Sequence, residues 1–122
     1  MFFRRSISTG EYGERLARKF LQRQGWRIVE TNLRVGHDEI DIIAVSVKEK
    51  VLSLVEVRST CDRVKDPRET IGKAKRTCLM RSARRFEPLA AKNGCTLRLD
   101  LVTVNLGQKR PRVRLFENFL LV

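Results

Sequence analysis

Two stretches of this chain are apolar enough to be buried strands, yet each carries a carboxylate at its centre. In Glu39-Ile40-Asp41-Ile42-Ile43-Ala44-Val45, Asp41 is flanked by isoleucines; in the stretch from Val51 to about Arg58, Glu56 lies between Val55 and Val57. Burying an ionised carboxylate without a partner costs several kcal/mol, so each acid must be paired or must hold a cation. Side chains at i and i+2 of a strand share a face, which groups Glu39 with Asp41 and Glu56 with Arg58. Lys48-Glu49-Lys50 reads as the polar tip of a hairpin joining the two strands. A hairpin brings both carboxylates toward one end of a sheet. Two hard oxygen donors, a backbone carbonyl and water suit Mg²⁺. The same spacing admits purely structural pairs, Glu56 with Arg58 or Asp41 with Arg34.

The surrounding pattern is that of a mixed α/β domain. Residues 8–24 have helical periodicity in Tyr12, Leu16, Phe20 and Leu21, a capping box in Ser8 and Glu11, and a stop at Gly25. At about 100° per residue, Glu14 falls beside Leu21 at the edge of the apolar face, and Glu11 falls nearly opposite it. Glu14 is thus placed either to look inward over a sheet or to sit as a solvated boundary residue. A strand begins at Trp26, turn residues run from Asn32 to Asp38, and a polar loop with Pro67 spans Ser59 to Arg68. A second helix is expected from about Glu69 to Lys92, with Ile71, Ala74, Cys78, Ala83, Phe86 and Ala90 as its apolar stripe. Pro88 is a point where it breaks or kinks, and Asn93-Gly94 closes it. Strands follow over Thr96–Leu106 and Val113–Phe119. The order αβββαββ implies a central mixed sheet flanked by helices. With 122 residues and 42% hydrophobic content, the chain fits one domain, 1–122, with residues 1–8 a flexible N-terminus.

Charge points to the partner. Twenty-six Lys and Arg against 14 acids give +12, which favours a polyanion. Between Thr70 and Phe86 the second helix carries Lys73, Lys75, Arg76, Arg81, Arg84 and Arg85 with no acid. A one-sign face repels itself, so these six are expected to bind phosphate. Lys109-Arg110-Pro111-Arg112-Val113-Arg114 is a second basic cluster. Cys61, Cys78 and Cys95 lack zinc-ligand spacing and read as buried reduced thiols. Neither a signal-peptide run nor a stretch of membrane-span length is present, so a cytoplasmic protein without membrane partners is expected.

Gly10, Gly13-Glu14, Ala17, Leu21, Gly25-Trp26, Ile28, Asn32, Arg34, the run Glu39 to Ala44, Val55-Glu56-Val57, Lys75, Ala83 and Arg98-Leu99-Asp100 together resemble the YraN family. These are small bacterial proteins similar to the PD-(D/E)xK nucleases. The resemblance implies a restriction-endonuclease-like fold close to archaeal-type Holliday-junction resolvases. It implies Mg²⁺ or Mn²⁺ held by Glu14, Asp41 and Glu56, and a homodimer acting on branched DNA. Where that pattern has lysine this chain has Arg58, and His37-Asp38 lengthen the segment before Glu39. Guanidinium stays protonated, so Arg58 is unable to act as general base. It is able to orient water or offset transition-state charge, and Lys75 is placed to bring an ammonium to the same site. The expected function is therefore a Mg²⁺-dependent endonuclease acting on DNA. The alternative is a catalytically impaired nucleic-acid-binding protein on the same fold. A binder of anionic membranes or acidic proteins is weakened by the lack of a strong amphipathic aromatic face.

Overall fold

The computed structural model describes residues 8–61 and 67–120. The expected flexible N-terminus therefore lies outside the described residues, apart from Ser8. Helix α1 spans Thr9–Arg23, and Ser8 is fixed as its N-cap, its hydroxyl accepting the Glu11 N–H at 3.2 Å. Strands β1 (Arg27–Val35), β2 (Asp38–Ser46) and β3 (Val51–Thr60) follow, then a 3₁₀ turn at Pro67–Thr70 and helix α2 (Lys73–Lys92). Strands β4 (Thr96–Asn105) and β5 (Arg112–Phe116) complete the sheet, whose order is β1-β2-β3-β4-β5. All neighbours are antiparallel except β3 and β4, which run parallel and are joined through α2. This is the αβββαββ layout with a mixed sheet that the sequence implies.

The helices cover opposite faces. Ala17 and Leu21 of α1 pack with Trp26, Ile42, Ala44, Val55, Val102 and Val104. Leu79 and Ala90 of α2 pack with Ile40, Ile43, Leu54, Leu99 and Leu101. Along β3 and β4 the assignment alternates residue by residue, as a sheet buried on both faces requires. Along β2 it breaks: Ile40 and Ile42, two apart, belong to opposite cores. Asp41 lies at that break.

Several boundaries differ from the sequence expectation. The turn between β1 and β2 is only Gly36-His37, with Val35 paired to Asp38. Gly36 takes φ +63, the left-handed value a tight hairpin needs at its first central position. Asn32 lies inside β1 at φ 51, beyond a register shift between Ile28 and Glu30, so it resembles a turn residue without ending the strand. Strand β3 runs on to Thr60, helix α2 starts at Lys73 after the 3₁₀ turn, and β5 ends at Phe116. Pro88 sits within α2 on its exposed side without breaking it. The buried residues of α2 are Leu79, Ser82 and Ala90, whereas Ala74 is exposed. Cys61 is exposed and Cys78 and Cys95 are half-buried, so the thiols are free but not buried. Among the described residues no helix is long and apolar enough to cross a membrane.

Helix α1 approaches β3 closely at Gly13, which is buried. A Cβ there would strike the Ser59 hydroxyl and lie 3.2 Å from Ser59 Cβ. Alanine ordinarily favours a helix over glycine by about 1 kcal/mol. Gly13→Ala is nevertheless expected to lower the melting temperature, because overpacking costs about 1–3 kcal/mol. Adding Ser59→Ala should restore most of the loss. Thermal melts of the single and double variants check this, and a Gly13→Ala protein more stable than wild type would contradict the contact.

Candidate functional site

The β2–β3 ladder ends at the pair Ile42–Val55. One step beyond it, the Val57 N–H donates to Asp41 Oδ2 at 2.8 Å instead of to a β2 carbonyl. The strands part here, and the Asp41 side chain bridges them. A cavity of about 420 Å³ opens at this point, lined by Thr9, Gly10 and Glu14 of α1, Asp41 of β2, Glu56, Val57, Arg58 and Ser59 of β3, and Lys75 of α2. The five residues named from sequence as catalytic, Glu14, Asp41, Glu56, Arg58 and Lys75, all line it. Glu39 does not; it is exposed and lies opposite Arg34 across β1 and β2.

Glu56 is buried, and Lys75 Nζ stands 3.1 Å from its Oε2. That oxygen accepts no well-directed hydrogen bond. Burial, followed by the adjoining Asp41 carboxyl, pushes the Glu56 carboxyl well above the usual carboxylate range, with Lys75 only partly opposing. Burial also raises the Glu14 carboxyl; Asn32 hydrogen-bonds to it and opposes the shift, and Asp41 adds to it. Arg58 Nε is buried with no acceptor. Neither structural pair that the strand spacing admitted is formed: Glu56 meets Lys75, and Asp41 meets the β3 backbone.

The site thus sets two adjoining carboxyls against the Lys75 ammonium and a buried Arg58 N–H that has no acceptor. Among the described residues no three His, Cys, Asp or Glu side chains converge as a ready-made metal cage. The carboxyls that could share a cation are Asp41 and Glu56, with Glu14 on the same cavity wall. That composition fits Mg²⁺, which keeps several waters and is bound by one or two carboxylates together with substrate phosphates.

The six cations expected to bind phosphate do not act alike. Lys75 pairs with Glu56. Arg81 binds Asp38 through two nitrogens at 2.8 and 2.6 Å, and Arg85 reaches the same carboxylate at 3.0 Å and the Val35 carbonyl at 3.2 Å. Arg76 donates to the Ile71 carbonyl at 3.3 Å. Lys73 and Arg84 are exposed. The acid-free stretch of α2 before Glu87 is therefore neutralised in part by acids of the sheet. Asp38 was missed because Gly36-His37-Asp38 reads as a turn. The available signal was the i, i+4 spacing of Arg81 and Arg85, which points both guanidiniums at one place.

A family profile described as "Uncharacterised protein family UPF0102" matches residues 13–104. The chain belongs to the UPF0102 family. A UPF0102 protein of Dehalococcoides mccartyi is 36% identical over 114 residues, covering 92% of each chain. One of Renibacterium salmoninarum is 36% identical over 115 residues, covering 90% of this chain and 93% of its own. One of Clostridium perfringens is 32% identical over 114 residues, covering 93% and 90%. The UPF0102 match takes in Glu14, Asp41, Glu56, Arg58 and Lys75, and agrees with the YraN resemblance. Among solved structures, SfsA of Pyrococcus furiosus in complex with Ca²⁺ covers 88% of this chain and 61% of its own, at 15% identity and a TM-score of 0.31.

Arg81, through its hydrogen bonds, holds the Asp38 carboxyl well below the usual carboxylate range. A depressed folded value contributes stability that is complete above the unfolded value of about 3.9 and is lost as pH falls through the folded one. Asp38→Asn is expected to be less stable at neutral pH and to show a flatter dependence of stability on pH below about 4. Circular-dichroism melts across the acid range test this. Identical acid profiles for the two proteins would remove Asp38 from that role.

Proposed function

We propose that this protein is a divalent-metal-dependent phosphodiester hydrolase acting on nucleic acid. The observation that carries the reading is the adjacency of the Asp41 and Glu56 carboxyls in one cavity with Lys75 and Arg58. A buried Glu56 beside a half-buried Asp41 favours a cation between the two carboxyls, and Lys75 offsets their repulsion only in part. The residues that would hold Mg²⁺ or Mn²⁺ are Asp41 and Glu56, with Glu14 positioned to accept a hydrogen bond from a water. A divalent ion there would supply Lewis acidity at the scissile phosphate.

The chain's own groups account for the rest. Thr9 and Gly10 bring the N-terminal end of α1 to the cavity, where backbone N–H groups favour an anion. Arg58 offers a buried, unused N–H to a phosphate oxygen and offsets the charge that develops on it. Lys75 shares that task from α2. Exposed Lys73, Arg76 and Arg84 add to the positive field around the site. DNA, branched DNA in particular, is the substrate that the YraN resemblance favours.

Mg²⁺ or Mn²⁺ should raise the melting temperature, since an ion that binds only the folded state stabilises it. Asp41→Asn combined with Glu56→Gln should abolish both that rise and any metal-dependent cleavage. A melting rise that survives the double change would locate the ion elsewhere.

Arg58 divides hydrolysis from mere binding. Arg58→Lys should keep or increase cleavage, and Arg58→Ala should lower it by about 10²-fold, a typical loss for one electrostatic contact to a transition state. Cleavage of a panel of linear and branched DNAs, measured with Mg²⁺, Mn²⁺ and EDTA, is the assay. Strong cleavage that persists in Arg58→Ala would move the role to Lys75. No cleavage by wild type, gained in Arg58→Lys, would favour the binding-only alternative, a nuclease scaffold disabled at one position.

A further inference from the structure

The strand register sets a line of guanidiniums beside the site. Residues directly opposite one another on neighbouring strands face the same side of a sheet. Glu56, Leu101 and Phe116 therefore form one row across β3, β4 and β5, and Arg58, Thr103 and Arg114 form the next. The row after that ends in Arg112, opposite Asn105. All three rows lie on the face that α2 covers elsewhere, since Leu101 and Phe116 belong to the α2 core. Over β5 itself Arg112 and Arg114 are exposed. Arg114 stands two strands from Arg58, about 10 Å at the usual strand spacing.

These cations are held in place. The Arg114 guanidinium lies 4.9 Å from the centre of the Phe116 ring, and that of Arg68 lies 5.2 Å from the same centre. The ring thus anchors charge at the rim of the sheet. Strand β5 is an edge strand, with no further strand beyond it among the described residues. The helix offers less than its composition suggests, because Arg81 and Arg85 are bound to Asp38 and Lys75 to Glu56.

We infer that this row is a backbone track: a nucleic-acid strand whose phosphodiester lies at Asp41 and Glu56 leaves the site toward the β5 edge, passing over β4 without touching it, since Thr103 there is buried. Arg58 meets the phosphate at the cavity, and Arg114 and Arg112 meet later phosphates of the same strand. Arg68 flanks the strand from the other element that contacts Phe116. Guanidinium forks match phosphate oxygens, so the track reads backbone and is indifferent to base sequence. The inference rests on the phosphodiester reading of the site.

The test is binding of a fluorescently labelled single-stranded oligonucleotide to the full chain in EDTA, by anisotropy over a salt series. Each lost phosphate contact reduces the slope of log K against log salt by about 0.7 for a single strand. Arg112→Gln with Arg114→Gln should reduce it by about 1.4. The charge-matched pair Lys48→Gln with Lys92→Gln, at the β2–β3 turn and the far end of α2, should reduce it by less than half as much. Equal reductions by the two pairs would mean diffuse attraction and overturn the track. An unchanged slope in Arg112→Gln/Arg114→Gln, with wild-type binding and cleavage intact, would overturn the track and leave the hydrolase reading standing. If wild type neither binds nor cleaves, both fail. If the arginine pair flattens the slope but no metal response or cleavage exists, the track stands as a binding surface and the hydrolase reading falls. Should the double variant melt below wild type, Arg112→Gln alone is the measure, and an expected reduction of about 0.7 decides.

Discussion

The hydrogen bond from the Val57 N–H to Asp41 Oδ2 does what a β2 carbonyl does elsewhere in the sheet. A side chain reaches further than a backbone carbonyl, so β2 and β3 stand apart where it substitutes. Without the Asp41 carboxylate, a backbone N–H would be stranded at the edge of a buried sheet, at a cost of about 1–3 kcal/mol. With it, the sheet stays satisfied and gains an opening into which Glu56 and Lys75 project. The same change of direction carries Ile40 and Ile42 to opposite cores. Cavity, acid pair and the switch in core face all meet at this one substitution of acceptor.

Charge in this protein is organised around buried acids. Asp38, Glu56 and Asp100 are each buried, and each sits beneath cations from another element or from its own strand. Asp38 takes Arg81 and Arg85, and Glu56 takes Lys75. Asp100 takes Arg98 at 2.8 Å, the Ser53 hydroxyl at 2.7 Å and the Asn118 N–H at 3.0 Å. Asp38 and Asp100 have well-directed partners for both oxygens, as buried carboxylates need. Glu56 differs, because one of its oxygens is left without a well-directed bond and its neighbour is another acid. Excess charge is a property of the whole chain; the unmet demand for a cation is local to one cavity.

The sequence made these relations visible to different degrees. Helix α1 was legible because its cap, its apolar spacing and its stop are local signals. Asp41 and Glu56 stood out because a carboxylate inside an apolar strand violates the pattern around it. Glu14 was placed correctly at the edge of the apolar face by helical geometry alone. What was hidden depends on contacts across the chain. Asp38 follows a glycine and a histidine and reads as turn, although tertiary pairing buries it. Asn32 reads as turn because a left-handed residue usually ends a strand. Around α2, apolar spacing points to Ile71, Ala83, Phe86 and Ala90, which do pack inward, and to Ala74, which is exposed; Ser82 and Lys75 turn inward although polar, which apolar spacing does not signal.

The position of Lys75 is itself a product of the Asp38 clamp. Lys75 lies six residues before Arg81, about 9 Å along a helix rising 1.5 Å per residue. Arg81 and Arg85 tie α2 to the start of β2, and Asp41 lies three residues after Asp38 on that same strand. The clamp therefore fixes the helix that carries the ammonium relative to the strand that carries one of the carboxylates. Glu56 receives its cation from α2 and its acidic neighbour from β2, so neither distance is set by β3 alone. Asp38, at the end of the Gly36-His37 turn, thus supplies the anchor that registers α2 over the cavity.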